Sequence, residues 1–414
     1  MAFIHRIGSV GINQIKQAIS FLKGLPTTFP SLGSMTLDAD DVDLAHHLLS
    51  QRAYEDDSKA TLHYEQEFAR WNGSEHAYAF MSGRVALSAA IYALGLAPGD
   101  EVIVPGYTCV VVPNAFHFAG IKTVYCDIEL NSYGLDATQI ENKITPKTRA
   151  ILLHHLYGLV CKDYETILDI AKSYNLKVIE DCAQATGAEF KGLKVGNRGD
   201  IAFYSSEQSK VFNTIQGGMA ITNDHKLAER IKEYYDKAPL PDIRWTSNLL
   251  YNVILNYYQN KHPQRYWLGD LAYLRYGNKR MISTTQREID GLQPKSYGKR
   301  MPSALALLGS NQLKKIDTYN NLRRKAITRW DQWAETKGYD KPLVLTGSIP
   351  VFLRYPILVE AEKKQDISWS LKEVGCLAGV WFTSNLHPSS QPVSDCPNSN
   401  KAVKQCINFP SLLN

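Results

Sequence analysis

Short apolar runs alternate with helically spaced segments through the middle of the chain. EVIVP (101–105), TVYCDI (123–128) and AILLHHLYG (150–158) are of strand length, and PNAFHFAG (113–120) and YETILDIAKSYN (164–175) between them are helical in pattern. Strands that read as nearly continuous apolar runs are covered on both faces, so the pattern predicts an α/β fold with a largely parallel sheet between layers of helices. Before this region, residues 38–71 are helical in pattern, and AYAFMSGRVALSAAIYALGL (77–96) joins a strand to a helix through Ser82-Gly83-Arg84. After it, KVIED (177–181) and the run from Asp200 to Ser206 predict two more strands, and KLAERIKEYYDK (226–237) a helix.

The ends read differently. Ile12, Ile15, Ala18, Ile19 and Leu22 fall at helical spacing, which predicts a helix packed on its own domain or on a partner subunit. Residues 246–281 are long and rich in Tyr and Arg, with Leu249, Leu250, Val253 and Ile254 as an apolar face, and suit an inserted helical lid or dimer element. Basic residues interleaved with aromatics would also suit an anionic surface, and Arg265, Arg275 and Lys279 are candidates for contacting an anionic substrate. From about 335 onward a strand, PVFLRYPILV, and a helix, DISWSLKEVGC, suit a smaller α+β domain. The expected organisation is a helical N-terminal segment (1–60), a large domain (61–235), a helical insert (236–290) and a small C-terminal domain (291–414).

Composition narrows the class. With 414 residues, 44% hydrophobic and 21% charged, the chain is long enough to bury large cores. A net charge of +5 is slight for this length and argues against a nucleic-acid footprint. Seven cysteines without a CxxC pair predict reduced thiols in a cytoplasmic protein and no zinc site. Polar residues and glycine interrupt the N-terminus, so neither an export signal nor a membrane span is expected.

The candidate chemistry lies in residues 177–218, KVIEDCAQATGAEFKGLKVGNRGDIAFYSSEQSKVFNTIQGG. Asp181 ends one predicted strand, Ser205 lies in the next, and Lys210 follows in a loop closed by Gly217-Gly218. Ligands of open α/β sheets sit at the carboxyl ends of strands. An acid and a lysine brought there together suit a cofactor with a ring nitrogen to pair and an aldehyde to bond, as in pyridoxal 5'-phosphate (PLP). Upstream, the strand-turn-helix at Ser82, Gly83 and Arg84 offers backbone N–H groups and a positive helix end to a phosphate. No dinucleotide-binding or nucleophile-elbow motif is present.

EDCAQATGA, GDIAFYSSEQSK and NTIQGGMAITND resemble the core of the DegT-type sugar aminotransferases, fold-type I PLP enzymes, and further motifs match in order from about residue 60 to 330. The resemblance implies a mostly parallel seven-stranded sheet and a homodimer with shared sites. It also implies roles: Asp181 on the pyridine nitrogen, Gln184 on the ring or its phenolic oxygen, Ser205 on the phosphate, and Lys210 as the catalytic amine. Dehydratases of the family carry histidine at the lysine position, so Lys210 argues for transamination. An amino acid, most simply glutamate, would convert PLP to pyridoxamine phosphate, and a keto or aldehyde sugar would take up the amino group, in amino-sugar biosynthesis for a surface polysaccharide or secondary metabolite. A PLP-binding regulator and a dehydratase-type sugar enzyme are the alternatives.

Thr186, Gln216 and Glu207 depart from the family pattern without removing an essential group, and three further departures touch the cofactor contacts. Arg84 stands for a threonine, and its guanidinium is expected to take over that contact to the phosphate. Cys109 stands for the aromatic residue that stacks on the cofactor, a contact worth roughly 0.5–1.5 kcal/mol, with Tyr107 two residues earlier as a substitute. Gly298 stands for an asparagine that reaches the partner's phosphate, leaving Lys299 and Arg300 as neighbours of that position.

Overall fold

The computed structural model describes residues 33–51, 58–261 and 281–412. Two helices, α1 (Ala39–Gln51) and α2 (Ser58–Asn72), precede a seven-stranded sheet. Its strands are β1 (His76–Phe80), β2 (Glu101–Pro105), β3 (Lys122–Cys126), β4 (Thr148–His154), β5 (Lys177–Asp181), β6 (Ile201–Ser205) and β7 (Gly218–Thr222). Their order across the sheet is β1-β7-β6-β5-β4-β2-β3. The run β6-β5-β4-β2-β3 is parallel, as the alternating apolar pattern predicts, and β7 and β1 add antiparallel pairings at one edge.

Each parallel strand divides its side chains between two cores. Ile103, Ile151, Leu153 and Val178 face a core shared with Tyr64 and Phe68 of α2. Their neighbours Val102, Val104, Leu152 and Ile179 face α3 (Gly83–Leu94) and α4 (Val111–Phe118) on the other side. Helices α5 (Tyr164–Ser173), α6 (His225–Lys237) and α7 (Ile243–Lys261) complete the layers. On α7, Leu249, Leu250 and Val253 are buried in the same core as Ala45 and Leu48 of α1, so the apolar face read from the sequence is covered inside the molecule. The proposed N-terminal helix and Arg265, Arg275 and Lys279 lie outside the described residues.

Beyond α8 (Ser303–Leu313) and the long α9 (Ile316–Lys337), strands β8 (Arg354–Leu358) and β9 (Cys406–Pro410) pair antiparallel. Trp330 of α9 stacks on Phe409 of β9 at 4.5 Å, and Trp333 meets the same ring edge-on. This cluster is continuous with Tyr107, Tyr133 and Tyr157 of the first half of the chain, so the C-terminal region is packed against the wall behind the strand ends.

Candidate active site

The carboxyl ends of β2, β4, β5 and β6 open on one cavity of about 540 Å³, lined by Ser82, Gly83, Arg84, Cys109, Asp181, Gln184, Ser205 and Lys210 among others. Eight of the nine residues singled out in the sequence are therefore brought together. The ninth, Tyr107, is not among the lining residues.

Asp181 reaches this cavity because a second acid holds the strand end. Glu180, fully buried, accepts from His155 Nε2 at 3.1 Å and Tyr164 Oη at 2.5 Å, and from the backbone N–H groups of Gly196, Arg198 and Gly199. Burial alone would push Glu180 up, but these bonds, led by that from His155, hold its carboxyl below the usual range. Alternation along the strand then turns Asp181 the other way. Its Oδ1 accepts from Ala183 N at 3.0 Å, which leaves Oδ2 open to the cavity. Burial pushes the Asp181 carboxyl up to about 6, against the Ala183 N–H and the charge of Lys210. An acid held in that state is best satisfied by a cationic N–H in front of it.

Across the cavity, Ser82 is extended (φ −164°, ψ 160°) and makes no side-chain cap at the start of α3. The first N–H groups of a helix have no partner within it, so this turn presents donors and the positive helix end. Ser205 lies against it: a Cβ on Gly83 would come within 3.0 Å of Ser205 Cβ. Gly218 closes the other side, where a Cβ would lie 2.3 Å from the Ser82 carbonyl carbon. Only glycines allow three backbones to meet here. The result is a cradle for a phosphate.

Lys210 occupies the loop between β6 and β7, in a turn whose N–H donates to Glu207 O at 2.8 Å. The loop is tied down by long-range bonds: buried Arg323 of α9 donates to Val211 O at 2.7 Å, Ser34 N to Gln208 O at 2.9 Å, and Asn213 N to the Gln312 carbonyl at 3.2 Å. Gln184 accepts from Tyr157 N at 2.9 Å, which leaves its amide NH₂ for the cavity it lines. Burial raises the Cys109 thiol, so it lines the wall as a neutral group.

Two expectations change. Tyr107 does not replace the missing ring. It is fully buried behind the wall, its hydroxyl 2.8 Å from that of Tyr157 and its ring 4.7 Å from Phe382. Arg84 lines the cavity, but its guanidinium is turned to Glu288, with which it pairs, and to Ser283 O at 2.6 Å. What this residue offers a phosphate is its backbone N–H. Glu288 is buried, and its backbone carbonyl accepts from Asn114 at 2.5 Å, so residues 283–288 are strapped across the α3 turn.

The structure adds residues that the sequence reading did not assign. His387 is on the wall, because Leu386–His387 pairs parallel with Thr108–Cys109. Its Nδ1 accepts from Thr383 N at 3.3 Å, and burial lowers it to about 4, so it is a neutral ring. Trp381, Trp245 and Tyr297 also line the cavity, beside Lys299, which the sequence marks only as a neighbour of Gly298. All come from segments distant in the chain, and no local spacing marks them.

The donor set fits PLP: an acid for a ring nitrogen, an amine for an aldehyde, a glycine-lined helix end with a serine for a phosphate. The chain matches the DegT/DnrJ/EryC1/StrS aminotransferase family over residues 36–414. It is 38% identical over 360 residues to the GDP-perosamine synthase of Caulobacter vibrioides, covering 86% of this chain and 84% of the relative. It is 29% identical over 350 residues to a UDP-2-acetamido-2-deoxy-3-oxo-D-glucuronate aminotransferase of Pseudomonas aeruginosa, covering 84% of both. The fold is similar to that of NtdA from Bacillus subtilis, crystallised with its cofactor pyridoxamine phosphate, with a TM-score of 0.69 over 92% of this chain and 80% of that one at 24% identity. The chain belongs to the DegT/DnrJ/EryC1/StrS family and is a PLP-dependent sugar aminotransferase.

Proposed function

We propose that this aminotransferase takes an amino group from glutamate and delivers it to a keto or aldehyde sugar carried on a nucleotide. The observation that carries the reading is the convergence of Lys210, Asp181 and the Ser82–Gly83–Ser205 cradle on one cavity. The two relatives described above are named for GDP- and UDP-linked sugars, which supports a nucleotide-linked acceptor. All seven cysteines are free, six of them buried, which supports a reducing, cytoplasmic setting.

When bound, PLP supplies an aldehyde and an electron-accepting ring. The chain's own groups do the rest. The N–H groups at Gly83 and Arg84 and the Ser205 hydroxyl hold the phosphate. Asp181 keeps the ring nitrogen protonated, because a carboxylate in front of it favours the charged form. Lys210 would hold the cofactor's aldehyde end, and its Nζ is the group that would carry the proton in the transfer. Gln184 and neutral His387 line the same cavity as hydrogen-bonding groups that would be available to the cofactor or substrate.

The test is the visible absorption of the purified protein loaded with PLP, before and after glutamate, beside Lys210→Ala. The lysine-bound cofactor band should form, should bleach with glutamate, and should be missing in the variant. A band that glutamate leaves untouched would remove the donor from the reading, and failure to form a band would remove the catalytic role of Lys210.

A further inference from the structure

Lys210 has an unusual neighbourhood for a half-buried amine. Among the described residues its Nζ makes no hydrogen bond and no ion pair. Its contact is the ring of Trp381, 5.1 Å away at the centroid. Asp181 acts on it only through space.

Trp381 is held in place by the C-terminal region. Its backbone N–H donates to Asn408 Oδ1 at 3.1 Å, and Asn408 of β9 also exchanges backbone bonds of 2.7 and 2.8 Å with Gly379. The next residue, Phe382, has its carbonyl fixed by buried Lys364 at 3.0 Å. The same indole carries a second cation, the guanidinium of Arg354, at 5.5 Å. Arg354 is buried, and its bonds go to the carbonyls of Leu353 and Gly33, with no carboxylate partner among the described residues.

We propose that Trp381 is a positioning residue for Lys210: its indole face holds the amine at the cavity wall whenever the lysine is not bonded to the cofactor, and returns it. An aromatic face attracts an ammonium through its quadrupole without a formal counter-charge. A carboxylate in that place would form an ion pair that must break before the amine can react. The indole holds the lysine against solvent and against Asp181, yet lets it go when an aldehyde arrives. Arg354, packed on the same indole at 5.5 Å, joins that ring to β8 and so helps to fix the plate on which Lys210 rests. This inference rests on the PLP reading above.

The experiment separates lysine positioning from cofactor packing. Cofactor-free protein is mixed with PLP, and the growth of the lysine-bound band is followed. In parallel, the affinity for pyridoxamine phosphate, which needs no bond to the lysine, is measured by calorimetry. Trp381→Leu and Trp381→Met should slow band growth about five- to tenfold, as expected for losing a partly desolvated cation–π contact. Their pyridoxamine phosphate affinity should stay within about twofold of native, and Trp381→Phe should keep most of the native rate. Native-rate band growth in a folded Leu or Met variant overturns the proposal, as does a Phe variant as slow as these. An equal loss of pyridoxamine phosphate affinity also overturns it, because Trp381 then serves the cofactor and not the lysine. If the native protein forms no band, the PLP reading itself fails and takes this inference with it.

Discussion

Asp181 shows how a single residue can be set against the stability of its own protein. In the cofactor-free cavity its folded value of about 6 lies above the ordinary 3.8, so the folded state favours the neutral acid. Stability from this group is full below the unfolded value and is lost as pH rises through the folded one. The difference between the two values corresponds to on the order of 3 kcal/mol. Urea unfolding of the cofactor-free protein should therefore show Asp181→Asn gaining on native as pH goes from about 4.5 to about 7.5. The same variant should lose most of its transaminase activity, because an amide no longer keeps the ring nitrogen protonated. If native and variant keep a constant stability difference across that range, the carboxyl is not held up by burial. Asp181 and Lys210 were legible in the sequence because each follows its own strand within 30 residues, so local order is enough to bring them together. Tyr107 was not. Its neighbours, Tyr157 and Phe382, come from far along the chain and draw its ring out of the site.

At the scale of elements, the strap over the α3 turn is a charge latch. Arg84 and Glu288 are both largely buried, and Thr285 and Glu288 form a capping box on the four-residue helical turn Gln286–Ile289. Glu288→Gln leaves the Arg84 cation without its counter-charge and weakens the cap. The expected loss is on the order of 3 kcal/mol. Thermal unfolding should fall accordingly, and limited proteolysis should cut first between 281 and 291. A variant as stable and as protease-resistant as native would show that the strap is held by packing alone. The sequence reading placed Arg84 correctly at the helix start but assigned its guanidinium to the phosphate. A side chain of that length reaches whatever anion folding brings near, and Glu288 is 204 residues away.

At the scale of the whole molecule, cofactor and fold should reinforce each other. PLP at about a hundredfold excess over its dissociation constant should stabilise the native protein by about 2.7 kcal/mol, through binding the folded state alone. Differential scanning fluorimetry should show the rise, and Lys210→Ala should show a smaller one. Equal shifts in both would mean that the lysine adds nothing to cofactor retention. Leu62 of α2, Leu307 of α8 and Leu322 of α9 are large apolar side chains exposed to 53%, 38% and 47%. We expect a homodimer, and sedimentation at the mass of one chain would refute it.

By itself, the sequence determined what depends on short-range order. Apolar runs such as EVIVP and AILLHH become parallel strands, because residues buried on both faces leave no other pattern. The order of acid, serine, lysine and glycines from 177 to 218 defines the chemistry, since successive strand ends are neighbours in an α/β sheet. Tertiary structure alone decided the identity of the walls. His387 and Trp381 join the site through pairing of Leu386–His387 with Thr108–Cys109 and through Asn408. Arg84 is committed to Glu288, and Tyr107 to a buried aromatic cluster. Such contacts join residues hundreds of positions apart, and they are selected by packing and charge neutralisation in the folded molecule, which no local periodicity records.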